Sequence, residues 1–207
     1  MAETRERGRP RAFDPDAALD AAARVFWVHG YDGASLTDLT AAMGINRPSL
    51  YGAFGSKEEL FQRVIARYAQ TDMTYAERAL DQPTGPAVAR ALLLDNIDAV
   101  TRSDRPAGCL TIQGGLASAD GNETVPAFLG QSRLAGERRL AERLARAVAE
   151  GDFVAGTDAA ALARYLMVVT EGHAVHATAG VSRRQLRASA DLALLAVDAL
   201  AAPASTV

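Results

Sequence analysis

The 207-residue chain contains one cysteine, one tryptophan and one lysine. A lone thiol, Cys109, excludes an internal disulfide and a cysteine-rich zinc site. Long apolar runs are missing. The longest, Tyr165 to Val169, falls far short of the ~20 residues of a membrane span. Arg5, Arg7, Arg9 and Arg11 are not followed by an apolar stretch with a cleavage site, so no secretion signal is expected and a cytoplasmic location is. Charge of one sign is also scarce. Asp and Glu number 25 against 22 Lys and Arg, for a net charge of −3. Bulk attraction to a polyanion is therefore excluded, and any nucleic-acid contact must come from a local patch. A Gly-rich phosphate loop, a Ser elbow and a convincing metal-ligand set are absent, so neither an enzyme nor a bound cofactor is expected.

What the sequence has is alanine and arginine. Ala occurs 44 times, and 21 of the 22 basic residues are Arg. Both are strong helix formers. With 49% hydrophobic residues the chain can build a packed core. Helical periodicity dominates and strand alternation is not evident. The fold expected is all-α, with about nine helices. Residues 1–13 read as an Arg-rich arm, 14–56 as a small three-helix unit and 57–207 as a larger helical bundle.

Local signals set the boundaries. Asp14-Pro15 is a cap followed by proline at the first helical position, and Gly30 is a stop. Ser35 and Asp38 open a short helix that ends at Gly44. Asn46 caps a second short helix, which Gly55 ends. Ser56-Lys57-Glu58-Glu59 is a capping box for a long helix predicted to run to about Leu80. Later helices are predicted to follow Pro86, Gly108, Pro126 and Asp158. The last begins at the capping box Ser182 to Gln185.

Residues 35–54 thus read as helix, tight turn, helix, with Leu39, Met43, Ile45 and Leu50 facing inward. Arg47 and Lys57 each fall in the first turn of a helix. There a cation opposes the macrodipole, at about 0.3–1 kcal/mol when exposed. From Gly44 to Lys57 there is no Asp or Glu. Two unfavourably placed cations and free helix-start N–H groups suit a site that receives phosphates. The competing reading is a helical hairpin in an adaptor that contacts no DNA, with charges that merely solubilise a turn.

The segment Ser35 to Leu60, SLTDLTAAMGINRPSLYGAFGSKEEL, resembles the DNA-binding signature of TetR-type transcriptional regulators. The preceding FWVHGYDG fits the end of that family's first helix. The resemblance implies that Arg47, Pro48 and Ser49 reach base edges in a major groove, while Ser35, Thr37, Tyr51 and Lys57 hold phosphates. Gly52 and Ala53 depart from the bulkier residues often found there, which leaves more of the readout to DNA shape. It also implies a homodimer paired through the last two helices, a double-stranded operator as partner, and a small-molecule effector in the bundle.

Candidate effector-binding residues are Cys109, Gln113, Met167, His173 and His176. Met, His, Tyr and aliphatic groups suit an apolar or aromatic compound. His173 and His176 stand three residues apart, so one metal ion could touch both with Cys109 as a third ligand; no clear fourth ligand exists, and a pair of hydrogen-bonded histidines is the plainer reading. Cys109 near a helix start is a candidate thiol sensor, or a small buried apolar residue.

Overall fold

The computed structural model describes residues 13–114 and 123–203. The charged part of the N-terminal arm, Arg5 to Arg11, lies outside them. Ten helices occur among the described residues, and no strand does. One isolated antiparallel bridge, Phe153 with Ala201, ties the loop before the ninth helix to the end of the tenth.

The first three helices are α1 (Pro15–Gly33), α2 (Leu36–Met43) and α3 (Arg47–Phe54). The Asp14 side chain caps α1 through Asp16 N–H. Gly30 interrupts α1 at φ 68° and ψ 177°, so the stop read from the sequence is a kink with one more turn beyond it. Gly44 ends α2 in the left-handed region, at φ 65°. A side chain there would be strained by its own carbonyl. Asn46 accepts from Ser49 N–H and starts α3. Phe26, Leu39, Leu50 and Phe54 are buried between these helices.

Helix α4 (Lys57–Thr71) starts at the predicted capping box, Ser56 with Glu59. It carries the head into the body. Its buried Phe61 meets Phe26 edge-on at 5.0 Å and Tyr31 at 5.2 Å. Arg67 grips Asp20 of α1 through two bonds of 2.7 and 2.9 Å. The single helix expected over 57–80 is two. It breaks after Asp72, and α5 (Thr74–Leu80) follows. The apolar spacing runs on across the break, but the Thr71 hydroxyl turns back to the backbone and the Asp72 carboxylate turns to side chains. Thr71 Oγ1 donates to Arg67 O, and the buried Asp72 carboxylate holds Arg105 at 2.9 Å.

The body comprises α6 (Gly85–Val100), α7 (Leu110–Gln113), α8 (Thr124–Glu150), α9 (Ala159–Thr178) and α10 (Arg183–Leu200). Helix α6 runs through its centre against α5, α8, α9 and α10. Val88, Leu93 and Ile97 on it are fully buried. Of the helix expected from Gly108 to about Ala117, one turn is described, Leu110–Gln113 with Gly114 as its C-cap; residues 115–122 lie outside the described set.

Candidate nucleic-acid interface and ligand cavity

On α2 and α3 the caps leave a polar edge facing outward. Ser35 Oγ accepts from Asp38 N–H, and its hydroxyl donates to the Asp38 carboxylate at 2.6 Å. That bond holds the carboxyl below the ordinary range. Arg47, Pro48 and Tyr51 are exposed and Ser49 half-buried on one side of α3. The Arg47 guanidinium donates to Thr37 Oγ1 at 3.1 Å, so the starts of the two helices are tied together. Lys57 opens α4 with its ammonium 4.5 Å from the centre of the Tyr31 ring. Partial burial pushes this amine down, against the pull of Asp32. The structure therefore brings Ser35, Thr37, Arg47, Pro48, Ser49 and Lys57 to neighbouring helix starts of one head, with Tyr51 one turn further along α3.

The body holds a cavity of about 310 Å³. Its wall is mainly apolar and comes from α4 to α9, with Leu92, Ile112, Leu140 and Met167 among the contributors. Of the candidate effector residues, Cys109 and Met167 line it. Gln113 does not; its Nε2 donates back to Ala107 O at 3.4 Å. His173 is buried at 3% exposure outside the wall, and neither ring nitrogen has a partner. Burial and nearby His176 push its pKa down, so it is neutral at neutral pH. His176 is exposed. Three residues on a helix turn a side chain by about 300°, so neighbours of one stripe can differ fully in burial. Among the described residues no group of three His, Cys, Asp or Glu side chains could hold a metal ion.

Cys109 is buried at 8% exposure. Its Sγ accepts from Tyr68 Oη at 3.5 Å and lies 3.0 Å from Thr111 Oγ1. The helix that Cys109 precedes has four described residues, too few peptide dipoles to sum into the field expected there.

The polar part of the cavity wall was not read from the sequence. Asn96, 3% exposed, donates from Nδ2 to Tyr75 Oη at 3.0 Å, and its Oδ1 has no partner. Glu77 and Arg139 form a two-pronged ion pair. Glu171, half-buried, is pushed up by desolvation and pulled down by Arg133. The one available signal is a polar residue within an otherwise apolar α6 face, and its periodicity cannot say which helix it meets.

Helix α7 separates the cavity from the head. Thr111 and Ile112 line the cavity. On the other side Gly114 abuts Phe61, where an added Cβ would lie 3.1 Å from the ring. Helices α9 and α10 bury Leu162, Leu166, Ala190 and Leu194 within the subunit. They expose Tyr165, Val168 and Val175 on α9, and Leu192 and Leu195 on α10.

Comparison with known proteins places this architecture. Residues 18–64 match the model for bacterial regulatory proteins of the tetR family. Residues 87–193 match the tetracyclin repressor-like C-terminal domain. The HTH-type transcriptional repressor ComR of Escherichia coli K12 is 33% identical over 186 residues, 88% of each chain. The TetR family regulator CifR, solved as a cysteine mutant complexed with 26-bp double-strand operator DNA, is 41% identical. That match covers 91% of this chain and 99% of CifR, with a TM-score of 0.87. A putative TetR regulator from Rhodococcus sp. RHA1 is 39% identical, covers 90% of this chain and 98% of its own, and has a TM-score of 0.61. With both halves matched and a repressor aligned along most of its length, the chain belongs to the TetR family of DNA-binding transcriptional regulators and is not an enzyme.

Proposed function

We propose that the protein is a cytoplasmic homodimeric repressor, released from a palindromic operator by a small, mainly apolar effector. Residues 14–56 form the reading head, and 57–207 bind the effector and the second subunit. The observation that carries this reading is the exposed first turn of α3, with Arg47 tied to Thr37 and Lys57 at the next helix start. Arg47, Pro48 and Ser49 meet base edges, and Arg47 matches the two acceptors of guanine. Ser35, Thr37, Tyr51 and Lys57 hold phosphates and set register. The operator complex of CifR supports the same use of the head here.

The exposed apolar stripe of Tyr165, Val168 and Val175, beside Leu192 and Leu195, supports pairing through α9 and α10. Two-fold pairing puts two reading heads on two half-sites. The cavity supports the effector, and α7 connects it to the aromatic cluster under Tyr31 and Lys57. Release requires that the effector favour the arrangement that fits DNA less well. A thiol-responsive variant of this scheme rests on Cys109, which lines the cavity.

Selection of bound sequences from a random duplex pool tests the reading. The expected product is a palindrome with half-sites about one helical turn, or a multiple of it, apart. Enrichment of no sequence would overturn the DNA-reading claim, and a single unrepeated half-site would overturn the dimer.

A further inference from the structure

Four residues of α9 line the cavity: Met167, Thr170, Glu171 and Ala174. They keep the i, i+3, i+4, i+7 spacing of one helix face, so Glu171 sits on the face that α9 turns to the cavity. Met167 and Ala174 are apolar, and the Thr170 hydroxyl bonds its own helix at Met167 O. Glu171 is half-buried, and among the described residues no hydrogen bond or ion pair reaches its carboxylate. Unlike the sealed Oδ1 of Asn96, its oxygens keep accessible surface. A carboxylate offers about four acceptor positions, and the protein fills none of them here. Desolvation outweighs the pull of Arg133 and pushes the Glu171 pKa up, as expected of a carboxylate that has lost water without gaining a bonded counter-ion.

The other charges of the wall are engaged or turned away. Glu77 and Arg139 hold each other. The Arg133 guanidinium reaches back along α8 toward Gly130, where an added Cβ would lie 3.9 Å from Nη2, and Gly130 is not in the wall. Arg133 therefore acts on Glu171 through its field alone. Glu137 acts on Glu171 in the same way, and Arg164 bonds it at 2.6 Å. Glu171 is left as the wall charge with room for a direct partner.

The cavity volume of about 310 Å³ equals roughly ten waters at ~30 Å³ each, so a ligand of roughly ten non-hydrogen atoms fills it. The wall reaches solvent along α8, where Ser132 and Gly136 are exposed beside Arg133 and Glu137. A ligand can thus keep a charged end partly hydrated at this α8–α9 rim while its apolar body lies against Leu92, Ile112 and Leu140.

We propose that the effector is a compact organic amine, protonated at neutral pH, whose ammonium donates to the Glu171 carboxylate at the α8–α9 rim while its apolar body fills the cavity. This inference rests on the reading of the cavity as the effector site. The ammonium supplies charge-assisted hydrogen bonds to acceptor positions that the protein leaves empty.

The test is calorimetry at physiological salt on the full-length protein with three compounds that share one body: phenylpropylammonium, phenylpropanol and phenylpropanoate. The ammonium is expected to bind, the alcohol to bind at least about tenfold more weakly, and the carboxylate not to bind measurably. In Glu171→Gln, which keeps the shape and removes the charge, ammonium affinity is expected to fall to that of the alcohol, with the alcohol unchanged. Glu150→Gln removes the same charge from the exposed end of α8, outside the wall, and is expected to change nothing. Thermal melting confirms that both variants fold. Absence of ammonium binding, equal or tighter binding of the alcohol or the carboxylate, a preference that survives Glu171→Gln, or an equal loss in Glu150→Gln would each overturn the proposal. Operator affinity is measured in parallel with and without each compound. If the ammonium binds through Glu171 yet operator affinity is unchanged, the ligand assignment stands and the regulatory reading fails. If the alcohol or the carboxylate binds best and releases the operator, the regulatory reading stands and the amine is overturned.

Discussion

In the head, the groups proposed to meet a partner stand on an exposed helix, and in the body they line a cavity. Arg47, Pro48 and Tyr51 project from one short helix, ten residues or fewer from Lys57 in the chain. Asn96, Tyr75, Cys109 and Met167 come from separate elements and meet only around a cavity. The outer site offers cations at helix starts, where a phosphate gains from both the side chain and the N–H groups. The inner site is mainly apolar, with the Glu77–Arg139 ion pair and Glu171 in its wall.

The sharpest way to break the comparison is at the residue both regions share. Phe61 is fully buried, packs on Phe26 and Tyr31, and abuts α7 through Gly114. Phe61→Ala is expected to cost about 3–5 kcal/mol of stability. Denaturant unfolding measures the loss. A cost below about 1 kcal/mol would show that head and body are not joined through this ring.

On the head alone, Arg47→Ala is expected to cost about 1–3 kcal/mol of operator binding and to relax base preference at one position. A binding titration against single-base operator variants checks both parts. Unchanged preference would move Arg47 from the bases to the phosphates. Lys57→Ala is expected to weaken all duplexes alike and to lower the salt slope by about one. Affinity measured over a series of salt concentrations reads that slope, and an unaltered slope would remove Lys57 from the phosphate contacts.

The smallest effect belongs to the body and to pH. Burial holds the His173 pKa below its ordinary value of about 6.5. The unfolded chain therefore takes up this proton at higher pH than the fold does. The stability that His173 contributes is complete above about pH 6.5 and is lost as pH falls from there toward its folded value. Melting temperature is expected to drop from pH 7.5 to 5.5 in the wild type, and to drop less in His173→Gln. Parallel curves for the two proteins would mean that His173 is accessible to solvent protons in the native state.

The same contrast explains what could be read from the sequence. The caps at Asp14, Ser35, Asn46, Ser56 and Ser182 are local hydrogen bonds between residues two or three apart, and all five form as predicted. Helix order and the head's inward face follow from them. The break at Asp72 escaped, because the apolar spacing runs on across it and the partner of its carboxylate, Arg105, lies more than thirty residues away. The cavity escaped for a similar reason. Periodicity cannot say whether His173 faces the cavity or the solid core. Asn96 shows locally only as a polar residue on an apolar face, and its bond to Tyr75 arises only where α5 and α6 meet.

The scarcity of lysine has a chemical consequence. Acylating reagents that scatter over most protein surfaces find a single side-chain amine here, and it stands at the start of α4 above the Tyr31 ring. The twenty-one arginines are inert to the same reagents. One acyl group on Lys57 would erase a positive charge from the head and leave the body's side chains untouched, so among side chains a general amine label becomes a site-directed probe.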